Sequence, residues 1–199
     1  MIKYALISEM NKKKIITICG GLGSGKSSTA NMVAEKLNFK RFSSGDFFRQ
    51  VGIDLGLSVN ELNKRAENDT SIDEMTDEKI RNLRDSSEIV IDSRTAFHWI
   101  PESFKVYLDL PPEIAKVRVL NNLKENKLRQ ESEKSSSVEE IYEKMKERLE
   151  SEQKRYWDLY KIDNTKKEQF DLVIDTNQNN LEEVVNIIVN TYKDWIEDK

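Results

Sequence analysis

The stretch Gly20-Gly21-Leu22-Gly23-Ser24-Gly25-Lys26-Ser27 follows the apolar run Ile15-Ile16-Thr17-Ile18-Cys19. It precedes Ser28 to Leu37, where Ala30, Val33, Ala34 and Leu37 recur at helical spacing. A strand that ends in a glycine-rich turn and opens a helix makes a phosphate cradle, because backbone N–H groups and the helix N-terminus converge there on anionic oxygens. The spacing G-x-x-x-x-G-K-[ST] gives each residue a task. Gly21, Gly23 and Gly25 let the backbone approach the anion, and Lys26 reaches the outer phosphates. The Ser27 hydroxyl is placed to ligand Mg²⁺, with Leu22, Ser24 and Ser28 completing the loop. The competing reading, a flexible glycine linker, does not account for a strand and a helix on either side.

At 199 residues the chain suits a single α/β domain able to bury a substantial core. Net charge is −4 with 34% charged residues of both signs, so no long-range field favours a nucleic-acid polymer or an acidic membrane. Anion binding must come from particular side chains. The single cysteine, Cys19, excludes an internal disulfide framework and a multi-cysteine metal site, which fits a reducing cytoplasm. No apolar run approaches the roughly 20 residues needed to cross a bilayer. Ile2 to Ile7 is a short apolar stretch that suits either an extra edge strand or a loose tail, with Met10 as an alternative start.

Strands are expected at Lys14 to Cys19, Lys40 to Phe42, Glu88 to Asp92, Lys105 to Leu110 and Phe170 to Asp175, with helices between them. This alternation predicts a mostly parallel sheet covered on both faces. Ligands collect at the carboxyl ends of such strands, which makes Asp92 a site candidate, while Asp109 and Asp175 read as turn residues. A turn or helix-capping role remains open for Asp92. Residues 45–85 hold short helices, one opened by the capping box Ser58-x-x-Glu61, and Glu67 to Asp77 looks too acidic for a core element. Lys124 to Arg155 mixes both charge signs around Ser135-Ser136-Ser137, as in a helical hairpin with a solvated face.

A second anion site follows the second strand, at Ser43-Ser44-Gly45-Asp46-Phe47-Phe48-Arg49. A hydroxyl-bearing turn opens a helix whose early residues include Arg49, and a guanidinium fork holds a phosphate monoester with two directed bonds. Two facing phosphate sites imply transfer between them.

With these residues on the page, the chain resembles the nucleoside monophosphate kinases. Ile89-Val90-Ile91-Asp92-Ser93-Arg94 lacks the D-G-F-P-R of adenylate kinases and is similar to the [DE]-[GS]-R of cytidylate kinases, notably their short archaeal-type branch. Arg148-Leu149-Glu150-Ser151-Glu152-Gln153-Lys154-Arg155-Tyr156 resembles that branch's R-x-x-[SR]-[DE]-x-x-R-Y. Tyr160-Lys161-Ile162-Asp163, Phe170 to Thr176 and Leu57 to Asp73 extend the likeness over roughly residues 14 to 190. The resemblance implies a P-loop three-layer sandwich with core 14–44, 86–121 and 156–199. It also implies an acceptor-binding insert at about 45–85 and a lid at about 122–150, all in one domain of 1–199.

What the resemblance implies for function is transfer from ATP, with Mg²⁺, to CMP or dCMP. Arg49 and Arg94 hold the acceptor phosphate, with Ser44 nearby, and Asp73 lies in the acceptor site. Arg148 and Arg155 contact acceptor and transferring phosphate, Glu152 touches the sugar, Asp92 holds Mg²⁺ through its water shell, and Arg118 lies on the donor adenine. Arg148, Glu152 and Arg155 share one helical face, which a surface salt-bridge array would also explain. Arg118 reads equally as a surface charge. Asp73, Asn63 and Thr95 are the polar candidates for the acceptor base, and His98 and Trp99 are expected beside that pocket. The family's second lid arginine is replaced by Asn122, leaving Lys124, Lys127 or Arg129 to compensate. Small-molecule nucleotides are the expected partners, and a monomer or weak dimer the expected state. The alternatives are a P-loop kinase for another nucleotide or small metabolite, and a non-catalytic nucleotide-binding module.

Overall fold

The computed structural model describes residues 12–125 and 137–198. The readings made for Ile2 to Ile7, Met10, Lys127, Arg129 and the start of the Ser135 to Ser137 turn lie outside those residues, as does the side chain of Lys124. Five strands form one sheet: β1 Ile15–Gly20, β2 Lys40–Ser43, β3 Ile89–Asp92, β4 Phe104–Asp109 and β5 Leu172–Asp175, in the order β2-β3-β1-β4-β5. All pairings are parallel. The strands coincide with the sequence reading to within about two residues at each end. β1 is buried throughout, as a central strand covered on both faces must be.

Helices cover both faces. On one, α1 (Lys26–Leu37) and α8 (Leu181–Glu197) bury Ala30, Val33, Val185, Ile188 and Val189 against Ile16, Ile18, Val106 and Leu108. Tyr192 and Trp195 pack on Phe104 at that face's edge. The other face receives Ile80, Ala96 and Ile100 against Ile15, Ile89 and Ile91. The long α7 (Val138–Tyr160) starts at a Ser137 cap, whose side chain accepts from the Glu140 N–H. It packs on α6 (Pro112–Glu125) through Val119, Leu123, Ile141 and Met145. α7 runs unbroken past residue 150, so the sequence-based division between lid and core falls inside one rigid helix.

Between β2 and β3 lie α2 (Ser44–Leu55), α3 (Val59–Ala66) and α4 (Ser71–Arg81). Val51, Leu62, Ala66 and Ile72 give them a small core of their own. The capping box at Ser58 and Glu61 is present as expected. The acidic stretch ending at Asp77 departs from expectation. Instead of staying out of the core it supplies much of α4, which buries Ile72, Asp73, Thr76, Asp77 and Ile80. Ile72, Thr76 and Ile80 recur every four residues and face inward. Asp73 and Asp77 lie beside that stripe and are carried inside with it.

Candidate active site

Register brings the two anion sites together. Ile18 of β1 pairs with Asp92, and Asp92 pairs with Ser43 at the end of β2. The P-loop, the Asp92-Ser93-Arg94 turn and the start of α2 therefore emerge side by side. They open into one cleft of about 360 Å³, walled on its far side by α6, α7 and α4. Gly21 through Ser28, Ser44, Arg49, Asp73, Asp92, Arg94, Arg118, Arg148, Glu152 and Arg155 all reach this cleft. The residues expected to hold phosphate, Mg²⁺, sugar and donor base are thus gathered in one place, whereas Asn63, Thr95, His98 and Trp99 are not among the cleft's lining.

The P-loop's shape has definite causes. Gly25 is the N-cap of α1 in left-handed conformation, at φ 86°, and no side chain caps the helix. Its first N–H groups thus remain available to an anion. Gly23 is also left-handed, at φ 72°, but a Cβ there would meet the Ala115 carbonyl and Val119 at 3.0 Å. Close packing on α6 therefore gives Gly23 a second reason, beside the room for the anion expected of it at the cleft. Lys26 folds back so that Nζ donates to the carbonyls of Gly20 at 2.9 Å and Gly21 at 3.1 Å. Burial, assisted by the nearby Arg94 cation, brings its pKa down to about 8. Burial pushes the Cys19 thiol up to about 11, so this cysteine is a packing residue.

Ser27 Oγ donates to Asp92 Oδ2 at 2.6 Å. A hydroxyl and a carboxylate meeting at the mouth of a P-loop are hard oxygen donors of the kind that suits Mg²⁺. The same Oδ2 accepts from Arg41 Nη2 at 3.1 Å, and Arg41 also pairs with Asp46 at 3.4 Å. The sequence reading missed Arg41. Its position two residues before Ser43, in a parallel strand beside β3, was the available signal. Asp46 is tied as well to Arg49, so Arg49 sits at the cleft beside a carboxylate instead of standing alone.

Arg94 is ion-paired to Glu152, which Arg148 also approaches at 3.9 Å. Burial works against the Arg94 charge, but Glu152, with Tyr156, Cys19 and Asp92 behind it, together more than restores it. The helical face carrying Arg148, Glu152 and Arg155 is therefore turned inward and is no surface array. Arg155 is the most deeply held of the three, at 7% exposure. Its Nε donates to Asp73 at 2.7 Å, Nη1 to the Ser151 hydroxyl at 2.7 Å, and both terminal nitrogens to Asn63 at 3.3 Å. In this form Arg155 clamps the insert to α7. Arg118 lines the cleft and donates to the Thr176 carbonyl at 2.9 Å, which ties α6 to the end of β5.

Two expectations for the acceptor base need correction. Thr95 is buried at 1% exposure behind the cleft and donates to Asp77, and Asn63 is committed to Arg155. His98 and Trp99 do not line the cleft; Trp99 packs edge-on to Tyr160 with Arg81 over its ring.

A profile described as the cytidylate kinase-like family matches residues 15–178. The chain belongs to the cytidylate kinase-like family. Among its relatives is a cytidylate kinase of Natronomonas pharaonis, 38% identical over 89% of this chain and 90% of that one. A S-adenosylmethionine-dependent nucleotide dehydratase of Lacinutrix mariniflava is 33% identical over 91% of this chain but only 36% of its own length. Among solved structures, a shikimate kinase from Bacteroides thetaiotaomicron aligns over 90% of this chain and 98% of that one, at TM-score 0.59 and 13% identity. That likeness attests the P-loop kinase fold alone. With the family established, the chain is an enzyme of the nucleoside monophosphate kinase class. No helix of the described residues is long and apolar enough to cross a membrane.

Proposed function

We propose that the enzyme transfers the γ-phosphoryl group of ATP to CMP or dCMP, giving ADP and CDP or dCDP. The observation that carries this reading is the single cleft joining the P-loop to Arg49, Arg94 and Arg148. An anion on the uncapped N-terminus of α1 and a second one at the start of α2 would share its walls. Transfer then needs alignment and charge compensation more than covalent help. An oxygen of the acceptor phosphate attacks the γ-phosphorus, the bond to the β-phosphate oxygen breaks, and ADP leaves. In this reading Lys26 and Arg148 balance charge on the transferring group, and Arg49 and Arg94 hold the acceptor phosphate beside Ser44. Glu152 faces the sugar, and Arg118 lies along the donor base. Ser27 and Asp92 would hold Mg²⁺, which supplies charge neutralisation between the outer phosphates. Arg155 positions the insert through Asp73. An acceptor that already carries charged oxygen requires no general base.

The cytidylate kinase names of the relatives support cytosine as the base. A nucleotide dehydratase sharing the same stretch supports a nucleotide over a small metabolite as acceptor. The single buried cysteine is in keeping with a cytoplasmic setting. The test is ADP release with MgATP and a panel of CMP, dCMP, UMP, AMP, GMP and shikimate. CMP or dCMP should give the highest kcat/KM, and Lys26→Ala should abolish turnover. A preference for shikimate, or ADP release independent of any acceptor, would overturn the reading.

A further inference from the structure

The carboxylates that line the cleft are not answered alike. Asp73 faces Arg155, and Glu152 faces Arg94 and Arg148. Asp77 faces the Thr95 hydroxyl, Trp99 of α5 (Ala96–Trp99) and Tyr160 of α7. Asp92 shares its cation. Arg41 gives it one bond, from Nη2 at 3.1 Å, and gives Asp46 Oδ2 another, from Nη1 at 3.4 Å. The second oxygen of Asp46 accepts from Arg49 Nη2. A line of alternating charge thus runs through Asp92, Arg41, Asp46 and Arg49. Its ends, Asp92 and Arg49, line the cleft, and its two middle members do not.

The fold sets this line up. Ser43 pairs with Asp92, so Arg41, two residues earlier, lies on the same face of β2 as Ser43. Asp46 stands in the first turn of α2, where a carboxylate suits the helix N-terminus, and Arg49 follows at i+3. Arg41 holds neither carboxylate with the two parallel bonds that a guanidinium fork can make, and its buried Nε has no partner. Giving up Asp92 would cost it one bond and let it turn the fork on Asp46. Asp46, neutralised in that way, would hold Arg49 less strongly.

We propose that Arg41 is a positioning residue that couples the two ends of the cleft: it shifts fully from Asp92 to Asp46 when magnesium nucleotide binds, which frees the Arg49 fork for the acceptor phosphate. The proposal rests on the reading of Asp92 as a holder of Mg²⁺ and of Arg49 as a holder of the acceptor phosphate. Before ligands arrive, Arg41 neutralises a buried carboxylate that would otherwise have only the Ser27 hydroxyl. Once Asp92 faces a divalent charge, the neighbouring guanidinium is repelled, and Asp46 is the anion already in its reach. The donor prepares the acceptor site through side chains behind the cleft wall. Such coupling is reciprocal: the factor by which magnesium nucleotide tightens the acceptor is the factor by which the acceptor tightens magnesium nucleotide.

Calorimetric titration of CMP into the enzyme, alone and with the β,γ-imido analogue of ATP, in magnesium or in EDTA, measures this factor. In the wild type the analogue with magnesium should tighten CMP about tenfold, and the analogue with EDTA should leave CMP affinity unchanged. Two variants cut the line with opposite signs. In Arg41→Met, Asp46 is left to Arg49 alone, so CMP should bind weakly whether or not the magnesium analogue is present. In Asp46→Asn, Arg49 is free from the outset, so CMP alone should bind about as tightly as it does to the analogue-loaded wild type. A coupling factor that survives in both variants would overturn the proposal, even if Arg41→Met lowers the melting temperature, since a merely structural arginine does that much. So would a wild type whose CMP affinity ignores the magnesium analogue, a result that needs no variant to fold. The line responds to phosphate and not to the base. If the substrate panel selects another monophosphate, the cytosine assignment fails by itself, and the same titrations with that monophosphate judge Arg41 by the same outcomes. An acceptor without a phosphate would overturn both.

Discussion

Lys26 stands in two environments whose difference can be measured. Before nucleotide arrives, burial and Arg94 hold its pKa near 8. Polyphosphate beside the ammonium would push that value back up, because an opposite charge favours the protonated form. Binding of ATP should therefore take up about three-quarters of a proton at pH 8.5 and almost none at pH 6.5, and affinity should fall as pH rises through 8. Calorimetric titration in buffers of different ionisation enthalpy measures this; equal proton uptake at both pH values would refute it. Asp77 shows the opposite sign in stability. Its folded pKa is raised, so its favourable contribution is complete below about pH 4 and is lost as pH climbs through 6. Asp77→Asn should thus match the wild type in thermal denaturation at pH 4 and exceed it at pH 7 by roughly 2–3 kcal/mol. The motif residues Lys26, Ser27, Arg49 and Arg94 were readable because their types and spacing carry the chemistry. Arg41 and Asp77 were not, since their importance comes from partners 51 and 18 residues away.

At the scale of elements, α4 teaches the most. Its composition argues against a core element, and only the period of four shared by Ile72, Thr76 and Ile80 argues for a buried helix. Tertiary pairing settles the conflict, because Arg155 on α7 neutralises Asp73 where solvent would otherwise be required. Both partners are nearly inaccessible, so breaking the pair should be costly. Arg155→Met leaves a buried carboxylate alone and should destabilise by about 3–5 kcal/mol, whereas the Arg155→Met/Asp73→Asn double variant should lose much less than the sum of its singles. Urea denaturation of the four-member cycle measures that coupling, and strict additivity would show the two sides act independently. The strands, by contrast, were legible nearly to the residue, since continuous apolar runs in a parallel sheet have few other destinations.

For the whole molecule, the load of stability and the chemistry sit at different ends. α8 seals one sheet face through Val185, Ile188 and Val189, while the cleft opens from the carboxyl ends of β1, β2 and β3. Ile188 is fully buried. Ile188→Ala should cost about 2–5 kcal/mol in chemical denaturation and leave KM for both substrates unchanged at 25 °C. A large KM change would mean that the sheet transmits packing defects to the site. The order of elements was open to sequence reading because the P-loop anchors β1 and alternation does the rest. How α7 bridges core and insert was not, as no local pattern reports which helix a clamp will grip.

One contact governs how a divalent ion could enter. Asp92 already faces a cation, the Arg41 guanidinium, and already receives the Ser27 proton. A solitary aqua ion would meet a carboxylate whose Oδ2 both already hold and whose charge Arg41 already offsets, for little gain. Metal should therefore be delivered as cargo on incoming triphosphate, whose own oxygens supply most of its shell. Millimolar magnesium chloride alone should leave the melting temperature where it was, and the same salt added with ATP should raise it.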